Sequence, residues 1–330
     1  MERFLYLYTA TPTDPGDERN RAALMAEQVT AAAEAGFTGV WLPEHHATAN
    51  FFPPPFQMLA WLSGLAPGLA AGTAVALPAL YHPVHLAESV AALAWLTERP
   101  VALGLGTGFR RAEFEAFGVE LDDRLALSIA VAQQVDRLLS GETVTFEIGP
   151  WRAHEARLSV TPRDQVALLW AARSPAGVRT ASRFADGILP NLIAGFDAQA
   201  DLLDEFDRLT GRRARSRPVL IDAVLCGEAD RAPAEAARRL GAEWAGFRHW
   251  RSVVPVLDEF LADPMGRTDI ARRFAAVGGA EDYRALEADL AARGVDQIGI
   301  RVQQASTSQA EALEGIRVVG EALALSAPAS

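Results

Sequence analysis

Short apolar runs alternate with longer amphipathic stretches along almost the whole chain. The runs are continuously apolar, which is typical of parallel strands buried on both faces. They predict strands over Phe4–Tyr8, Gly39–Leu42, Thr73–Leu77, Val101–Leu105, Ala167–Ala171, Gly187–Leu189, Val219–Leu225 and Gln297–Val302. Helical periodicity predicts helices over Glu18–Ala35, Val84–Leu96, Ala112–Leu139, Val178–Phe184, Ala198–Leu209, Ala232–Ala242 and Ala280–Ala292. This alternation predicts an α/β fold, namely a TIM (β/α)8 barrel.

Two segments interrupt the alternation. Residues 141–164 predict a small hairpin inserted between the fourth and fifth strands. Residues 243–279 are rich in aromatic residues and arginine. They are expected to form a mobile active-site loop after the seventh strand, because insertions after barrel strands build or cover active sites. No internal repeat or linker divides the chain, so residues 1–330 are expected to fold as a single domain.

Composition narrows the class of protein. Of the 330 residues, 50% are hydrophobic and 22% are charged, as in globular proteins. The net charge of −11 disfavours binding to a phosphate backbone, so nucleic acid is not an expected partner. No run is apolar enough for a membrane span, and "MERFLYLYTA" lacks the features of a secretory signal, so a cytoplasmic location is expected. The single cysteine, Cys226, lies in an apolar run and is interpreted as a packing residue.

Polar and ionisable residues follow several of the predicted strands. "PEHH" follows the second strand, "PALYHP" the third, "GTGFRR" the fourth, "ARSPAG" the fifth and "LPN" the sixth. In a TIM barrel the catalytic groups lie at the carboxyl ends of the strands. We therefore expect one site that combines imidazoles, a carboxylate, glycines, arginines and a serine.

The acid and two histidines of "PEHH" raise the question of what chemistry they serve. Adjacent histidines on an extended segment point in opposite directions, which disfavours joint binding of one metal ion by His45 and His46. One imidazole facing the site would suit proton transfer near neutral pH, with Glu44 fixing its tautomer. Two histidines with purely structural hydrogen bonds are the alternative.

The glycine-rich segment "GLGTG" at residues 104–108 does not fit a dinucleotide-binding fingerprint. Arg111 stands where that fingerprint needs its third glycine. Glycine also allows close approach of the backbone to a flat ligand or a phosphate, because it has no side chain to obstruct it. Tight packing between strands is an equally good explanation for Gly104 and a weaker one for Gly108.

The segment "ARSPAGVRTASRF" at residues 172–184 passes from a strand into a helix. Ser174 occupies the predicted N-cap and Pro175 the first helical position. Helix N-termini bind phosphate through their free N–H groups, and Arg124 could complete such a pocket. Alternatively, Ser174 only caps the helix and Arg124 is a solvated charge.

Together these segments resemble the bacterial luciferase-like flavin monooxygenase family. The resemblance spans about residues 3–302 and rests on five segments in order: "AGFTGVWLPEHH", "GTAVALPALYHPVHLAESVAALAWLT", "LGLGTGFRRAEFEAFGVELDDR", "ARSPAGVRTASRFADGIL" and "AAVGGAEDYRALEADLAARGVDQIGI". It implies a TIM-type barrel that takes reduced FMN from a separate flavin reductase. With O2, by way of a flavin peroxide, such enzymes oxygenate an organic substrate. The family also suggests a homodimer.

The resemblance also implies roles for individual residues. His45 corresponds to the histidine that acts in flavin chemistry, with Glu44 beside it, and Ala74-Val75 corresponds to a non-proline cis peptide against the flavin ring. The other cofactor-binding positions are Thr107, Gly108, Phe109, Arg110, Arg124, Arg173 and Ser174.

Two positions depart from the family pattern. Thr107 stands where many members have an arginine that contacts the cofactor, and Arg110 or Arg111 would have to substitute for it. Gly177 replaces a hydroxyl residue that binds phosphate in some relatives. Both departures suggest weaker flavin affinity or a rearranged phosphate pocket.

The resemblance leaves the reaction open between two kinds of enzyme. "GTG" is shared with the deazaflavin-dependent branch of the fold, whereas "EHH" favours the FMN branch. A flavin-binding protein without catalysis is a third alternative. The expected substrate is a small apolar or aromatic molecule, in keeping with a role in secondary metabolism. It would enter an apolar mouth lined by Trp41, Phe51, Phe52 and Phe56. Closure of the loop at residues 243–279 over this mouth would exclude water.

Overall fold

The protein consists of strands with helices between them. Its computed structural model describes residues 1–8, 20–47, 54–246, 256–304 and 306–325. The strands are β1 (Glu2–Tyr6), β2 (Gly39–Leu42), β3 (Ala70–Ala76), β4 (Val101–Leu105), β5 (Val144–Ile148), β6 (Trp151–Ala156), β7 (Val166–Ala172), β8 (Gly187–Pro190), β9 (Pro218–Leu225), β10 (Ala275–Gly278) and β11 (Gln297–Arg301).

Twelve helices are found within these ranges. They are α1 (Arg21–Glu34), α2 (Pro55–Leu65), α3 (Pro83–Leu96), α4 (Arg111–Ala116), α5 (Arg124–Leu139), α6 (Pro175–Ala181), α7 (Phe196–Thr210), α8 (Ala232–Gly246), α9 (Val256–Ala262), α10 (Thr268–Ala271), α11 (Ala280–Ala292) and α12 (Gln309–Ala324). Short 3-10 turns cover Pro78–Leu80, Leu121–Asp123, Arg163–Gln165 and Ala229–Arg231. None of the helices in the described part of the chain is long and apolar enough to cross a membrane.

The chain divides into two compact units. The first comprises Met1–Gly39, Pro190–Asp204 and Arg217–Ser330. Its strands are parallel and follow the order β10, β9, β11, β1, so that β9 lies between the two strands that come after it in sequence. Inside this unit, buried Arg301 donates to Asp222 through two nitrogens, at 2.6 and 3.0 Å, and to Glu243 at 2.8 Å. Both carboxylates thus have a cationic partner, as buried charges require.

The second unit comprises Val40–Leu189 and Glu205–Ser216. Its strands follow the order β2, β3, β4, β7, β8, and β4 pairs in parallel with both β3 and β7. Strands β5 and β6 form an antiparallel hairpin between β4 and β7. His82, the N-cap of α3, is bonded through Nε2 to the carbonyl of Arg152, which joins this hairpin to the start of α3.

Most of the predicted strands are confirmed. The bounds of β2 and β4 match the prediction, β1 begins and ends two residues earlier than predicted, and the parallel pairing confirms the α/β class. The hairpin predicted within residues 141–164 is present as β5 and β6. Cys226 is buried, in agreement with its interpretation as a packing residue. A single domain remains a prediction.

Several other predictions are wrong. The helix predicted over Ala112–Leu139 is broken between α4 and α5, where Gly118 adopts a left-handed φ of 67° that ends α4. Residues 243–279, predicted as a loop, contain the end of α8, then α9, α10 and strand β10; residues 247–255 lie outside the described ranges. Helices α2 and α12 are absent from the sequence-based prediction.

The missed helices have different physical causes. Helix α2, "PFQMLAWLSGL", has apolar residues around most of its circumference, so it lacks the polar face that gives a helical period. Helix α12 does carry a signal, because Ser308 and Glu311 form a capping box at its start. Strand β10 has only four residues, "AAVG", two of them alanine.

Two glycines of β4 and its following turn allow β3 to approach closely. A Cβ on Gly104 would lie 2.1 Å from the carbonyl oxygen of Thr73, and one on Gly106 would lie 2.4 Å from Cγ2 of Val75. The Thr73 hydroxyl donates to the Gly104 carbonyl at 2.7 Å, where the pairing register of β3 with β4 shifts. Packing between β3 and β4 therefore accounts for the glycine at position 104, which is one of the two interpretations that the sequence leaves open.

We predict that Gly104→Ala lowers the free energy of unfolding by about 3 kcal/mol, because the obstacle is a backbone carbonyl that cannot rotate away. Gly64→Ala is the matched control. Gly64 lies in α2, and no atom lies within 4 Å of the place that an added methyl group would take, so alanine should raise stability by roughly 0.5–1 kcal/mol. Urea denaturation followed by circular dichroism measures both; equal stability of the two variants would contradict the packing argument.

Candidate functional site

The candidate site lies at the carboxyl ends of β2, β3 and β4 in the second unit. Strand β2 ends at Leu42, and Pro43, which has no N–H to continue a ladder, precedes Glu44, His45 and His46. After β3 the chain forms the 3-10 turn Pro78–Leu80, and after β4 it passes through the glycine-rich turn into α4. Neighbouring strand ends therefore bring three short segments together.

Glu44 is the most strongly held side chain of the site. It is 2% exposed, and its carboxylate accepts hydrogen bonds from the Leu77 N–H at 2.6 Å and from the Tyr81 hydroxyl. The same carboxylate is 3.0 Å from Nε2 of His46. Because a buried carboxylate is stable only when its oxygens are satisfied, these three partners keep Glu44 ionised inside the protein.

Glu113 is the second buried carboxylate. It lies in the first turn of α4 and is 1% exposed. Its Oε1 accepts from the backbone N–H of His46 at 3.2 Å and is 2.9 Å from Nδ1 of His45. Since an ionised carboxylate can only accept, Nδ1 of His45 carries the proton in this bond.

The acidic partners change the protonation of the neighbouring groups. Burial alone would lower the pKa of His46, but the hydrogen bond and charge of Glu44, together with the charge of Glu113, raise it above its ordinary value. Burial and the charge of Glu44 raise the pKa of Tyr81, so its phenol stays neutral and serves as a donor.

One carboxylate partner of the histidines was predicted from the sequence, and the other was missed. Glu44 was expected to fix the tautomer of one of the two imidazoles, and it binds His46, whereas His45, the histidine assigned to flavin chemistry, is bound by Glu113. The missed residue carries a weak signal in the sequence. Glu113 precedes the fully buried Phe114 in "RRAEFEAFG", so both lie on the inner side of a short helix, whereas Glu115 is exposed.

Strand β3 and the turn after β4 hold several of the residues assigned to the flavin ring. The Ala74-Val75 peptide is cis, which confirms the geometry expected there. Val75 is partly exposed within an otherwise buried strand, and its side chain lies against Gly106. Gly108 adopts φ 67°, and a Cβ there would lie 2.9 Å from the ring of Phe114. Packing against Val75 and Phe114 therefore requires glycine at positions 106 and 108, because a Cβ at either would overlap those side chains.

The residues assigned to phosphate binding lie directly after the carboxyl end of β7 and at the start of α5. Ser174 is the N-cap of α6, where its hydroxyl accepts from the Gly177 N–H at 3.4 Å, and Pro175 begins the helix. Arg173 is exposed, and Arg124 donates to the Leu121 carbonyl at 2.8 Å. Ser174 thus has the capping role described as the alternative, whereas Arg124 is partly buried and bonded to its own segment and is not simply a solvated charge. The phosphate-binding role of these residues stays a prediction.

The remaining assigned residues have varied environments. Thr107 and Arg110 are partly buried, and Phe109 is exposed with the Arg110 guanidinium 5.7 Å from its ring centre. Trp41 and Phe56, expected to line an open mouth, are buried in the core instead. Phe51 and Phe52 lie outside the described ranges. In the part of the chain that is described, no cluster of three acidic, histidine or cysteine side chains could hold a metal ion.

Comparisons with known proteins identify a family model and several relatives that resemble this chain. The model of a family described as luciferase-like monooxygenase matches residues 1–324. An F420-dependent hydroxymycolic acid dehydrogenase of Mycobacterium tuberculosis is 31% identical over 240 residues, which cover 67% of this chain and 63% of that protein. The match thus spans less than two thirds of that relative's length.

Solved structures share the fold. The monooxygenase RslO1 from Streptomyces bottropensis is 21% identical, with a TM-score of 0.80 over 99% of both chains. The oxygenating constituent of 3,6-diketocamphane monooxygenase from Pseudomonas putida, in complex with FMN, is 16% identical, with a TM-score of 0.73 over 98% of both chains. Likeness to luciferase-like barrels along the whole chain supports the predicted TIM-type barrel, and the positions of its insertions remain predictions.

We predict that Glu113→Ala lowers the free energy of unfolding by about 2 kcal/mol, because it leaves the His46 N–H and Nδ1 of His45 without their acceptor. Glu115→Ala, in the same helix but exposed, is the control and should change stability by less than about 0.5 kcal/mol. Thermal and urea unfolding of both variants give the comparison. If the two lose equal stability, Glu113 does not hold the histidine segment.

Proposed function

This chain belongs to the luciferase-like monooxygenase family, and from that premise we propose that it is an enzyme of the flavin-dependent monooxygenase type that oxygenates a small organic molecule with reduced FMN and O2. The observation that carries the proposal is the pair His45 and His46, each bound to its own buried carboxylate after β2, the strand next to β3 with its cis peptide Ala74-Val75. Proton control next to a planar ring is what oxygen chemistry on a flavin requires.

The described residues fit a flavin ring. Ala74, Val75, Gly108 and Phe109 would contact its faces, since Val75 is partly exposed near the end of a buried strand and Phe109 is exposed. Thr107 and Arg110 would lie along its length. Arg124, Arg173 and Ser174 would hold the phosphate. When bound, reduced FMN supplies the two electrons that activate O2.

His45 is the proposed proton-transfer residue of the site. With Nδ1–H donated to Glu113, the neutral ring has its lone pair on Nε2, the nitrogen that would accept a proton in the proposed reaction. His45 is therefore a catalytic residue and Glu113 a positioning residue that fixes the tautomer. Glu44, expected from the sequence to be catalytic, is also assigned a positioning role, because its oxygens are taken up by buried donors.

A second candidate function is an F420-dependent oxidoreductase, which transfers hydride and uses no oxygen. Two observations favour it. The similar dehydrogenase from Mycobacterium tuberculosis is F420-dependent, and Thr107 replaces the arginine that many flavin-binding members carry. Both coenzymes contain a planar ring that the same residues would accept. The two candidate functions must therefore be distinguished by the reaction that the protein catalyses.

Anaerobic titration with reduced FMN and with F420, each followed by an oxygen pulse, distinguishes these functions. The monooxygenase proposal expects binding of reduced FMN and oxygen consumption that rises with a suitable substrate. Binding of F420 without oxygen consumption would establish the second candidate. Flavin binding without any turnover over a panel of apolar and aromatic substrates would support a binding protein and contradict catalysis.

We predict that His45→Ala slows turnover by roughly 100-fold while the dissociation constant for the cofactor changes little, because His45 acts on a proton and not on the ring's position. His85→Ala is the control, since His85 is exposed on α3. Stopped-flow kinetics and cofactor titration report the two effects separately. Loss of cofactor binding in His45→Ala, with no such loss in the control, would assign His45 to binding instead.

Two partners complete the proposal. A separate flavin reductase would supply reduced FMN. A second copy of the chain would cover the large apolar side chains exposed on α2 and α3, which pack against each other in the second unit. These side chains are Trp61, Leu65, Trp95 and Leu96, and Trp95 is 85% exposed. Exposed apolar side chains of this size on adjoining helices are typical of interfaces.

We predict that Trp95→Glu converts the proposed homodimer into monomers, because it places a charge in the apolar interface. Val160→Glu, at another exposed apolar position of the same unit, should leave the dimer intact. Sedimentation velocity at several concentrations measures both. A wild-type protein that sediments as a monomer at all of them would refute the homodimer.

A further inference from the structure

His82 lies between the candidate site and the β5–β6 hairpin, and the proposed function gives it no role. It follows Tyr81 directly and is the N-cap residue of α3. Its Nδ1 accepts the backbone N–H of Val84 at 3.2 Å, and its Nε2 is 3.1 Å from the carbonyl oxygen of Arg152 in β6. One imidazole therefore joins the start of α3 to a strand that is 70 residues away in the sequence.

The two partners of His82 fix the position of its proton. A backbone N–H can only donate, so Nδ1 carries a lone pair toward Val84. A carbonyl oxygen can only accept, so Nε2 carries the proton toward Arg152. His82 is thus a neutral imidazole in one tautomer, with one nitrogen bound to the helix and the other bound to the hairpin.

The hairpin also contacts His82 through two aromatic rings. The ring centres of Phe146 in β5 and Trp151 in β6 lie 5.7 and 5.8 Å from the ring centre of His82. Phe146 is buried, so the hairpin meets α3 through a packed face. Distances of this size are typical of aromatic pairs, which stabilise a contact beyond the area that they bury. The hairpin is therefore packed against the imidazole as well as bonded to it.

His82 is the last residue of the segment that holds Glu44. This segment, residues 77–82, runs from the end of β3 to the N-cap of α3. It supplies two of the three partners of Glu44, the Leu77 N–H at 2.6 Å and the Tyr81 hydroxyl. Strand β3 fixes one end of the segment and His82 fixes the other. Because Tyr81 is next to His82 in the chain, the N-cap constrains where its phenol lies.

We propose that the β5–β6 hairpin supports the candidate active site and that His82 is the positioning residue through which it acts. His82 holds the start of α3 against the hairpin. The Tyr81 hydroxyl then stays on Glu44, and Glu44 in turn holds His46. The proposal rests on the proposed function and extends it, because it assigns the inserted hairpin to the reaction that the two histidines of the site would serve.

The variant His82→Asn separates the two bonds of His82. The carboxamide oxygen of asparagine takes nearly the place of Nδ1 and is a favourable N-cap acceptor, so the Val84 N–H keeps a partner. Asparagine is too short to place a donor where Nε2 lies, so the bond to Arg152 is lost together with the ring contacts. His154→Asn is the matched control, because His154 lies on the same hairpin and its side chain is 82% exposed.

The first experiment measures the coupling without turnover. Amide hydrogen exchange of the full chain, followed by NMR, reports the Leu77 N–H that is bound to Glu44. We expect His82→Asn to speed the exchange of this amide by roughly tenfold and His154→Asn to leave it within about twofold of the wild type. Unchanged exchange at Leu77 in His82→Asn would overturn the proposal.

A second variant keeps this test decisive if circular dichroism shows that His82→Asn does not fold. Trp151→Leu removes one ring from the hairpin side of the contact and leaves His82 and its cap in place. It should speed the exchange of the Leu77 amide in the same direction. Unchanged exchange in folded Trp151→Leu would then overturn the proposal.

The second experiment tests whether His82 acts through Tyr81. With whichever cofactor supports turnover, His82→Asn should lower kcat by roughly tenfold and leave the cofactor dissociation constant within about twofold. Tyr81→Phe removes the hydroxyl that binds Glu44. In that background His82→Asn should lower kcat by less than about twofold, because the contact that it positions is already absent. Equal effects in the two backgrounds would refute positioning through Tyr81.

Failure of this proposal and failure of the proposed function give different results. If reduced FMN or F420 binds, but His82→Asn changes neither the Leu77 exchange nor kcat, the proposed function survives and the role of the hairpin is refuted. If His82→Asn speeds the exchange but neither cofactor binds, the proposed function is refuted. The hairpin then stabilises this segment without serving the proposed reaction, so the positioning role is refuted with it.

Discussion

The site depends on one buried charge, the carboxylate of Glu44. It joins two parts of the chain that are far apart in sequence: the end of β2 through its own position, and the segment after β3 through the Leu77 N–H and the Tyr81 hydroxyl. An ionised group in such a place is stable only because donors surround it, and removal of any donor would expose the full cost of burying it. The requirement works in both directions, since the donors are held in place by the charge.

The second carboxylate makes the two histidines different from each other. Glu113 binds Nδ1 of His45, whereas Glu44 binds Nε2 of His46. Neighbouring rings on one short segment are therefore anchored through different nitrogens. Against the cost of burial, the hydrogen bond and charge of Glu44 raise the pKa of His46, whereas the bond to Glu113 fixes which nitrogen of His45 carries the proton. Two identical side chains thus differ because of their acidic partners.

The sequence predicts the parts of the site that follow from local residue patterns. It does not predict contacts between residues that are far apart in the chain. The strand before Glu44 and the cap at Ser174 follow from residue type and spacing. The partner of His45 cannot be predicted in this way, because Glu113 is 68 residues from His45 and only the packing of α4 brings the two together. A short polar helix gives little warning that one of its glutamates is buried.

The positions of two aromatic side chains were also predicted wrongly from the sequence. Trp41 and Phe56 are aromatic and close in sequence to the histidines, which suggested an apolar entrance, but both fill the core. A strand end places successive side chains on opposite faces, so proximity in sequence to a catalytic residue does not mean proximity to the ligand. The aromatic ring that contacts a histidine of the site is instead Phe117, which comes from the C-cap of α4.

The choice between the two reactions depends on the coenzyme more than on the shape of the site. Under the proposed function, Val75 and the turn after β4 would contact a flat ring, and shape alone does not separate FMN from its deaza analogue, because both rings are planar and of similar size. What differs is the reduced ring itself: the flavin has a nitrogen where the deazaflavin has a carbon, so reduced flavin reacts with O2 whereas reduced deazaflavin serves as a hydride carrier. The choice between oxygenation and hydride transfer therefore follows from which coenzyme binds. On this argument, a change at Glu44 or Glu113 would alter the rate of a proton-transfer step without changing which of the two reactions occurs.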